Sequence, residues 1–162
     1  MASYLPNLAR DNISLYTIPV AWVVAFMPRI YAISTYTSIT KKDTKAISLQ
    51  PRDFIKIAAD DQALDNKMTQ RIIRAEAATS NGFENLGLFA AAVAAGNAAG
   101  LDVSTLNGIT IAYIVSRVVY NHIYIFNDLV PSQARTVTFL GGVGMCMALF
   151  VQAGNRMKRT LL

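Results

Sequence analysis

Charge is scarce in this chain. Asp, Glu, Lys and Arg supply only 15% of its 162 residues, while hydrophobic residues supply 53%. Soluble domains average about 25% charged residues, so a water-facing surface is undersupplied. Cysteine is nearly absent. Cys146 stands alone, which excludes an internal disulfide, and its surroundings of Gly, Met and Leu read as packing. With one cysteine and one histidine, His122, no metal site is expected. Negative charge is the scarcer sign, and the formal net charge is +5. A nucleic-acid binder would cluster its basic residues on one face with interleaved aromatics. Here they flank apolar segments, so no nucleic acid is expected as a partner. A small-residue cleavage site is also missing after the first apolar stretch, which carries Pro19, Pro28 and Arg29. That stretch reads as a retained span.

What the chain has is long apolar runs. A spanning helix needs about 20 apolar residues, and four stretches qualify: about 13–36, 70–100, 106–126 and 134–152. A polar connection over 37–69 separates the first two, with Phe54 to Ala58 as a short interfacial helical turn. The fold class expected is all-α, a single integral-membrane four-helix bundle over residues 1–162. Pro28 should kink the first helix, and a neighbouring helix must satisfy the carbonyl it frees. Residues 101–105 form a tight turn, with Ser104 or Thr105 as N-cap. Asn127 to Gln133, containing Pro131, forms the next turn. Gly96 and Gly100 make a G-x-x-x-G pair in an Ala/Gly-rich stretch that produces the spacing by chance. Gly141, Gly142 and Gly144 read as sites of close helix packing.

Lys and Arg at span ends set orientation. Lys41, Lys42, Lys45, Arg52, Lys56, Lys67, Arg71, Arg74 and Arg135 fall on one side, and Arg10, Arg156, Lys158 and Arg159 on the other. The larger group favours cytosolic 1–2 and 3–4 connections, with both termini lumenal. Asn12-Ile13-Ser14 is a glycosylation sequon that abuts the membrane and reads as unused.

Three ionisable residues interrupt the apolar runs: Arg29, Glu84 and Arg117. A charge at the centre of a spanning helix costs roughly 2.5–3.5 kcal/mol on insertion scales. On a helical wheel Arg74, Asn81 and Asn85 fall within about 40° of each other, with Glu84 about 60° to one side of Asn81. Arg117, Tyr120, Asn121 and Tyr124 share one face of the third helix at i, i+3, i+4 and i+7. One reading is a simple Glu84–Arg117 lock between helices. The other is a ligand pocket, favoured by the surplus of asparagines and tyrosines. Arg135, beside Thr136, opens the fourth span. It reads either as a snorkelling interfacial arginine or as the cation that stabilises a thiolate, enolate or carboxylate. Arg29 reads as structural or snorkelling. Glu76 and Arg74 read as compatible with a water-exposed helix end, and His122 as an interhelix hydrogen-bonder off the stripe.

These residues also form recognisable motifs. Arg74 to Asn85, R-A-E-A-A-T-S-N-G-F-E-N, resembles the R-x-x-R-x-x-x-N-x-x-E-N signature of the MAPEG family, the membrane-associated proteins in eicosanoid and glutathione metabolism. Gln50-Pro51-Arg52 is similar to the N-P-R/E element before it. Ser116 to Tyr124 resembles the third-helix A-R-x-x-H-T-x-x-Y motif, and Arg135-Thr136 resembles the Arg-Ser that opens the fourth helix. The overall flavour is that of the short fungal members. The resemblance implies a homotrimer with sites between neighbouring protomers, probed from the bilayer by a hydrophobic small-molecule substrate, and an endoplasmic-reticulum membrane. It implies glutathione as cofactor, with contacts on Arg52, Arg74, Asn81, Glu84, Arg117, Tyr120, Asn121 and Tyr124. The catalytic set it implies is Arg135, Thr136, Arg117, Glu84 and Tyr124, with Arg135 stabilising the thiolate. Ala77 departs from the signature's second arginine, and Ser80 and Phe139 stand where some glutathione-using members carry Arg and Tyr. Each lost charge-assisted bond removes roughly 1.5–3 kcal/mol from the binding of a dianionic tripeptide. Three functions are therefore compatible with the sequence: a glutathione transferase, peroxidase or isomerase; a glutathione-independent isomerase or cyclase of secondary metabolism; and a non-catalytic lipid-binding scaffold.

Overall fold

The computed structural model describes residues 7–126 and 132–160. Every regular element among them is helical. A 3-10 turn at Ser14–Tyr16 leads into α1 (Thr17–Thr40). Then come α2 (Lys45–Leu49), a 3-10 turn at Pro51–Asp53, α3 (Phe54–Asp60), α4 (Asn66–Ala98), α5 (Val103–Ile125) and α6 (Ser132–Thr160). The four long helices, α1, α4, α5 and α6, pack side by side, with α4 touching all three others. The stretches Ser14–Thr40, Val103–Ile125 and Gln133–Arg159 are long and apolar enough to cross a membrane. At 33 residues α4 is long enough too, but Arg71, Arg74, Glu76, Glu84 and Asn85 dilute its apolar character. Among the described residues the fold is all-helical, with three such candidate spans.

Helix boundaries follow from local chemistry, with corrections to the sequence reading. Asp65 caps α4 by accepting from the Met68 amide at 2.7 Å. Asp102, not Ser104 or Thr105, caps α5, accepting from the Thr105 amide at 3.1 Å. An aspartate in that position satisfies one of the free amides of the first turn. Gly100 adopts φ +65° and the Leu101 amide reaches back to the Gly96 carbonyl at 3.1 Å, so the pair belongs to a Schellman terminus. Gly96 packs face-on against Leu106. The first helix extends to Thr40 and the fourth to Thr160, beyond the expected ends at 36 and 152. The expected 127–133 turn lies largely outside the described residues, as do the first six residues of the N-terminal tail.

The polar connection is more than a loop. Ile47, Phe54, Ala58 and Leu64 are buried against Ala32, Tyr36, Ile72, Ala75 and Ile125, so α2 and α3 fold into a cap over one end of the bundle. At that end Lys42 Nζ lies 2.6 Å from Asp61 Oδ2, and the Tyr36 hydroxyl donates to the same oxygen at 2.7 Å. The opposite end is closed by asparagines. Asn107, fully buried, donates to the Leu8 and Asp11 carbonyls and accepts from the Ile13 amide. Asn97 donates to the Ser14 hydroxyl and accepts from Asn12. The sequon asparagine is thus tied into the bundle. Between the ends, Phe89 stacks on Tyr113 at 3.9 Å among Ala92, Val93, Leu149 and a packed Cys146.

Pro28 lies inside α1 and cannot donate to the Val24 carbonyl one turn earlier. Asn121 of α5 does so instead, at 2.9 Å. The neighbouring-helix repair expected from the sequence is therefore present.

Candidate functional site

An open cleft of about 470 Å³ runs between α4, α5 and the first turns of α6. Asn81, Tyr120, Tyr124, Gln133, Arg135, Thr136 and Phe139 line it. Helical spacing explains the convergence. Asn81 points from α4, Tyr120 and Tyr124 lie one turn apart on α5, and Arg135, Thr136 and Phe139 share the entrance of α6. The Asn81 amide donates to the Tyr120 hydroxyl at 2.8 Å. Tyr120 and Tyr124 rings lie 5.4 Å apart, and the Arg135 guanidinium sits 5.2 Å over the Tyr124 ring. Stacking of this kind fixes the direction of a planar cation. No carboxylate lines the cleft among the described residues. Its chemistry is donor-rich and positive, suited to an anion or to an oxygen that gains negative charge.

Arg117 is placed differently from the sequence expectation. Its side chain is 5% exposed and turns toward α6, donating to the Thr138 and Phe139 carbonyls at 2.9 and 3.1 Å. The rings of Tyr113, Tyr120 and Phe139 surround it at 5.1–5.7 Å. Gly142 makes the room: a Cβ there would come within 2.7 Å of the guanidinium carbon. Arg117 forms the back wall of the aromatic cluster and is not a lining residue of the cleft. Among the described residues no ion pair joins it to Glu84. Glu84 is exposed on the outer face of α4, because α4 is rotated to bury Asn85 and present Asn81.

The remaining expected ligands are scattered. Arg74 donates to the Ile125 carbonyl at 3.1 Å, serving one of the carbonyls a helix end leaves unpaired. Asn121 repairs the proline break described above. Arg52 is exposed on the cap. His122 is also exposed, and its ring contact is with Phe126, one turn on, at 5.0 Å; among the described residues it forms no interhelix hydrogen bond.

Two features escaped the sequence reading. Glu76 is buried rather than at a wet helix end, and its carboxylate meets Arg29 at 2.6 Å. Arg29 also donates to the Pro51 carbonyl at 3.1 Å and sits 5.9 Å over Phe54, so it joins α1, α4 and the cap. Depth was the available signal. Arg29 lies eleven residues before the end of α1 and Glu76 ten after the start of α4. At 1.5 Å per residue both sit roughly 15 Å from the same end of the bundle. The second is the lining by Gln133, for which the sequence held only proximity to Arg135; Phe139, noted only as a departure from the family's tyrosine, lines the cleft too.

Comparison with known proteins agrees with the motifs. The MAPEG family model matches residues 13–155. No curated protein and no solved structure matches the chain. The matched stretch takes in all four long helices, the cap and the cleft, and with the apolar helices it identifies the chain as a membrane protein that belongs to the MAPEG family.

Proposed function

We propose that the chain is a membrane-embedded enzyme that binds glutathione at the α4–α5–α6 cleft, activates it as a thiolate and directs it at a lipophilic substrate. The outcome would be conjugation, peroxide reduction or isomerisation. The observation that carries this reading is Arg135. It is the cation that lines the cleft among the described residues, it is aimed by Tyr124, and it sits in the first turn of a 29-residue helix. A permanent cation and the positive end of a helix both lower the pKa of a nearby thiol from about 8.5. In this reading Thr136 donates to the sulfur, and Asn81, Tyr124 and the face of the Tyr120 ring bind the tripeptide. Arg117 and Arg74 hold the walls in place. Glu84 and Arg52 lie outside one protomer's cleft. Their exposure supports a homotrimer in which a neighbour brings them to a shared site. In the same proposal α4 is the fourth span, the membrane is the endoplasmic reticulum, and the termini are lumenal, as the excess of Lys and Arg at the cap end supports.

A second reading is favoured by the commitment of Arg117 and Arg74 to backbone carbonyls. It leaves little positive charge for the two carboxylates of glutathione. A glutathione-independent isomerase or cyclase, using Arg135 and the tyrosines on a lipophilic substrate, fits that economy of charge.

Titration of the detergent-purified protein with glutathione separates the two. Thiolate absorbance near the ultraviolet edge should rise in the wild type and vanish in Arg135→Ala. Turnover of a hydrophobic substrate without any thiolate signal would replace the first reading with the second. A lipid retained through purification, with neither signal nor turnover, would mark a binding scaffold.

A further inference from the structure

The Tyr120 hydroxyl has an uncommitted proton. Tyr120 is 4% exposed, and its oxygen accepts from Asn81 Nδ2 at 2.8 Å. A phenol carries one donor as well as acceptor sites. Among the described residues its hydrogen goes to no protein acceptor, because its only hydrogen bond is the one from Asn81. The Asn81 N–H occupies one acceptor site of the oxygen, so the hydroxyl hydrogen turns away from Asn81. The residue lines the open cleft, and the orphaned donor has that space before it. It also borders the small enclosed cavity of about 10 Å³ behind it, beside Arg117 and Asn121. Its ring is clamped by the Arg117 guanidinium at 5.1 Å, Tyr124 at 5.4 Å and Phe139 at 6.0 Å. A donor this fixed needs no reorganisation when charge develops opposite it.

We infer that the Tyr120 hydroxyl, held by Asn81, is a catalytic hydrogen-bond donor to the carbonyl oxygen of the lipophilic substrate, and that the substrate class is a conjugated carbonyl, an enal or enone. This rests on the cleft being the reaction site proposed above, and it adds the substrate's chemistry to that reading. When the glutathione thiolate of the proposed reaction adds to the β-carbon of an enone, the S–C bond forms as the C=C π pair shifts and negative charge moves onto the carbonyl oxygen; the enolate then takes a proton from water at its α-carbon. A cleft with Arg135, Tyr120 and Tyr124, and no lining carboxylate among the described residues, stabilises that charge. The proton of Tyr120 stays on the phenol throughout; the bond it makes shortens and strengthens as the oxyanion forms. Asn81 is the positioning residue, since its N–H occupies an acceptor site of the oxygen and keeps the hydroxyl hydrogen turned away from α4.

Infrared spectroscopy on a bound, carbonyl-labelled lipophilic enone tests this without requiring turnover or glutathione. The carbonyl stretch should lie below its value in detergent alone, and Tyr120→Phe, which keeps the ring, should return it toward that value. Asn81→Leu should broaden the band by freeing the rotor. In turnover assays, Tyr120→Phe should lower the ratio of enal to benzyl-halide conjugation about 100-fold, the usual effect of removing one oxyanion donor. An unshifted carbonyl band in the wild type overturns the inference, as does a ratio unchanged by Tyr120→Phe. Loss of the glutathione thiolate signal alone, with the band shift intact, overturns the glutathione reading and leaves the donor in place.

Discussion

The two ends of the bundle commit their polar groups in opposite ways. At the asparagine end each amide is used: Asn107 makes three bonds to residues 8–13, and Asn97 joins Asn12 to Ser14. Those amides are spent on the chain's own N-terminal segment. At the cap end the polar groups divide. Arg29, Glu76, Lys42 and Asp61 are paired and hold the cap down. Arg135, Tyr124, Thr136 and the Tyr120 proton face an open cleft. The contrast teaches where to look for chemistry in a greasy protein: among polar groups that the fold positions but does not satisfy.

Breaking the Arg29–Glu76 pair should give the largest effect. Glu76→Gln strips the charge from one partner and leaves a guanidinium largely out of water, a change that costs about 3–5 kcal/mol for buried pairs. A strongly lowered Tm in detergent is expected, with the cap becoming protease-sensitive; an unchanged Tm would mean the pair is solvated. Next comes the sealed end. Asn107→Ala orphans the Leu8 and Asp11 carbonyls and the Ile13 amide, costing about 2 kcal/mol. Here only residues near the N-terminus should gain hydrogen exchange, while the glutathione thiolate signal persists. Exchange spreading to the cleft would show that the ends are not independent. The smallest effect concerns pH. Hydrogen bonds from Lys42, from the Tyr36 hydroxyl and from the Ala63 amide hold the Asp61 carboxyl down to about 2, from an ordinary 3.8. Its stabilising contribution is therefore complete above pH 4 and fades as pH falls toward 2. Proteolysis of the cap should rise across that window, and the rise should be absent in Asp61→Asn.

Periodicity made much of the site legible. Of the i, i+3, i+4, i+7 stripe of Arg117, Tyr120, Asn121 and Tyr124, the two tyrosines line the cleft with Asn81, while Arg117 turns to α6 and Asn121 to α1. Pro28 announced an orphaned carbonyl, and the structure supplied Asn121. What a wheel cannot give is the rotation and depth of the neighbouring helix. Arg117 could have turned to Glu84 on α4, but α4 is rotated to bury Asn85, and the free space lay over Gly142 on α6. Glu76 read as compatible with a wet helix end; only the packing of α1 against α4 brings Arg29 to it. The α5 cap was misplaced for a local reason: the helix begins at Val103, which puts Asp102 at the cap and Ser104 and Thr105 inside the first turn.

The repair of α1 by α5 ties two distant positions together. A lineage that lost Asn121 while keeping Pro28 would bare the Val24 carbonyl to hydrocarbon, and one that lost Pro28 would have no further use for Asn121. Natural drift should therefore retain or discard proline and asparagine as a couple, a co-inheritance visible wherever enough sister sequences can be set side by side.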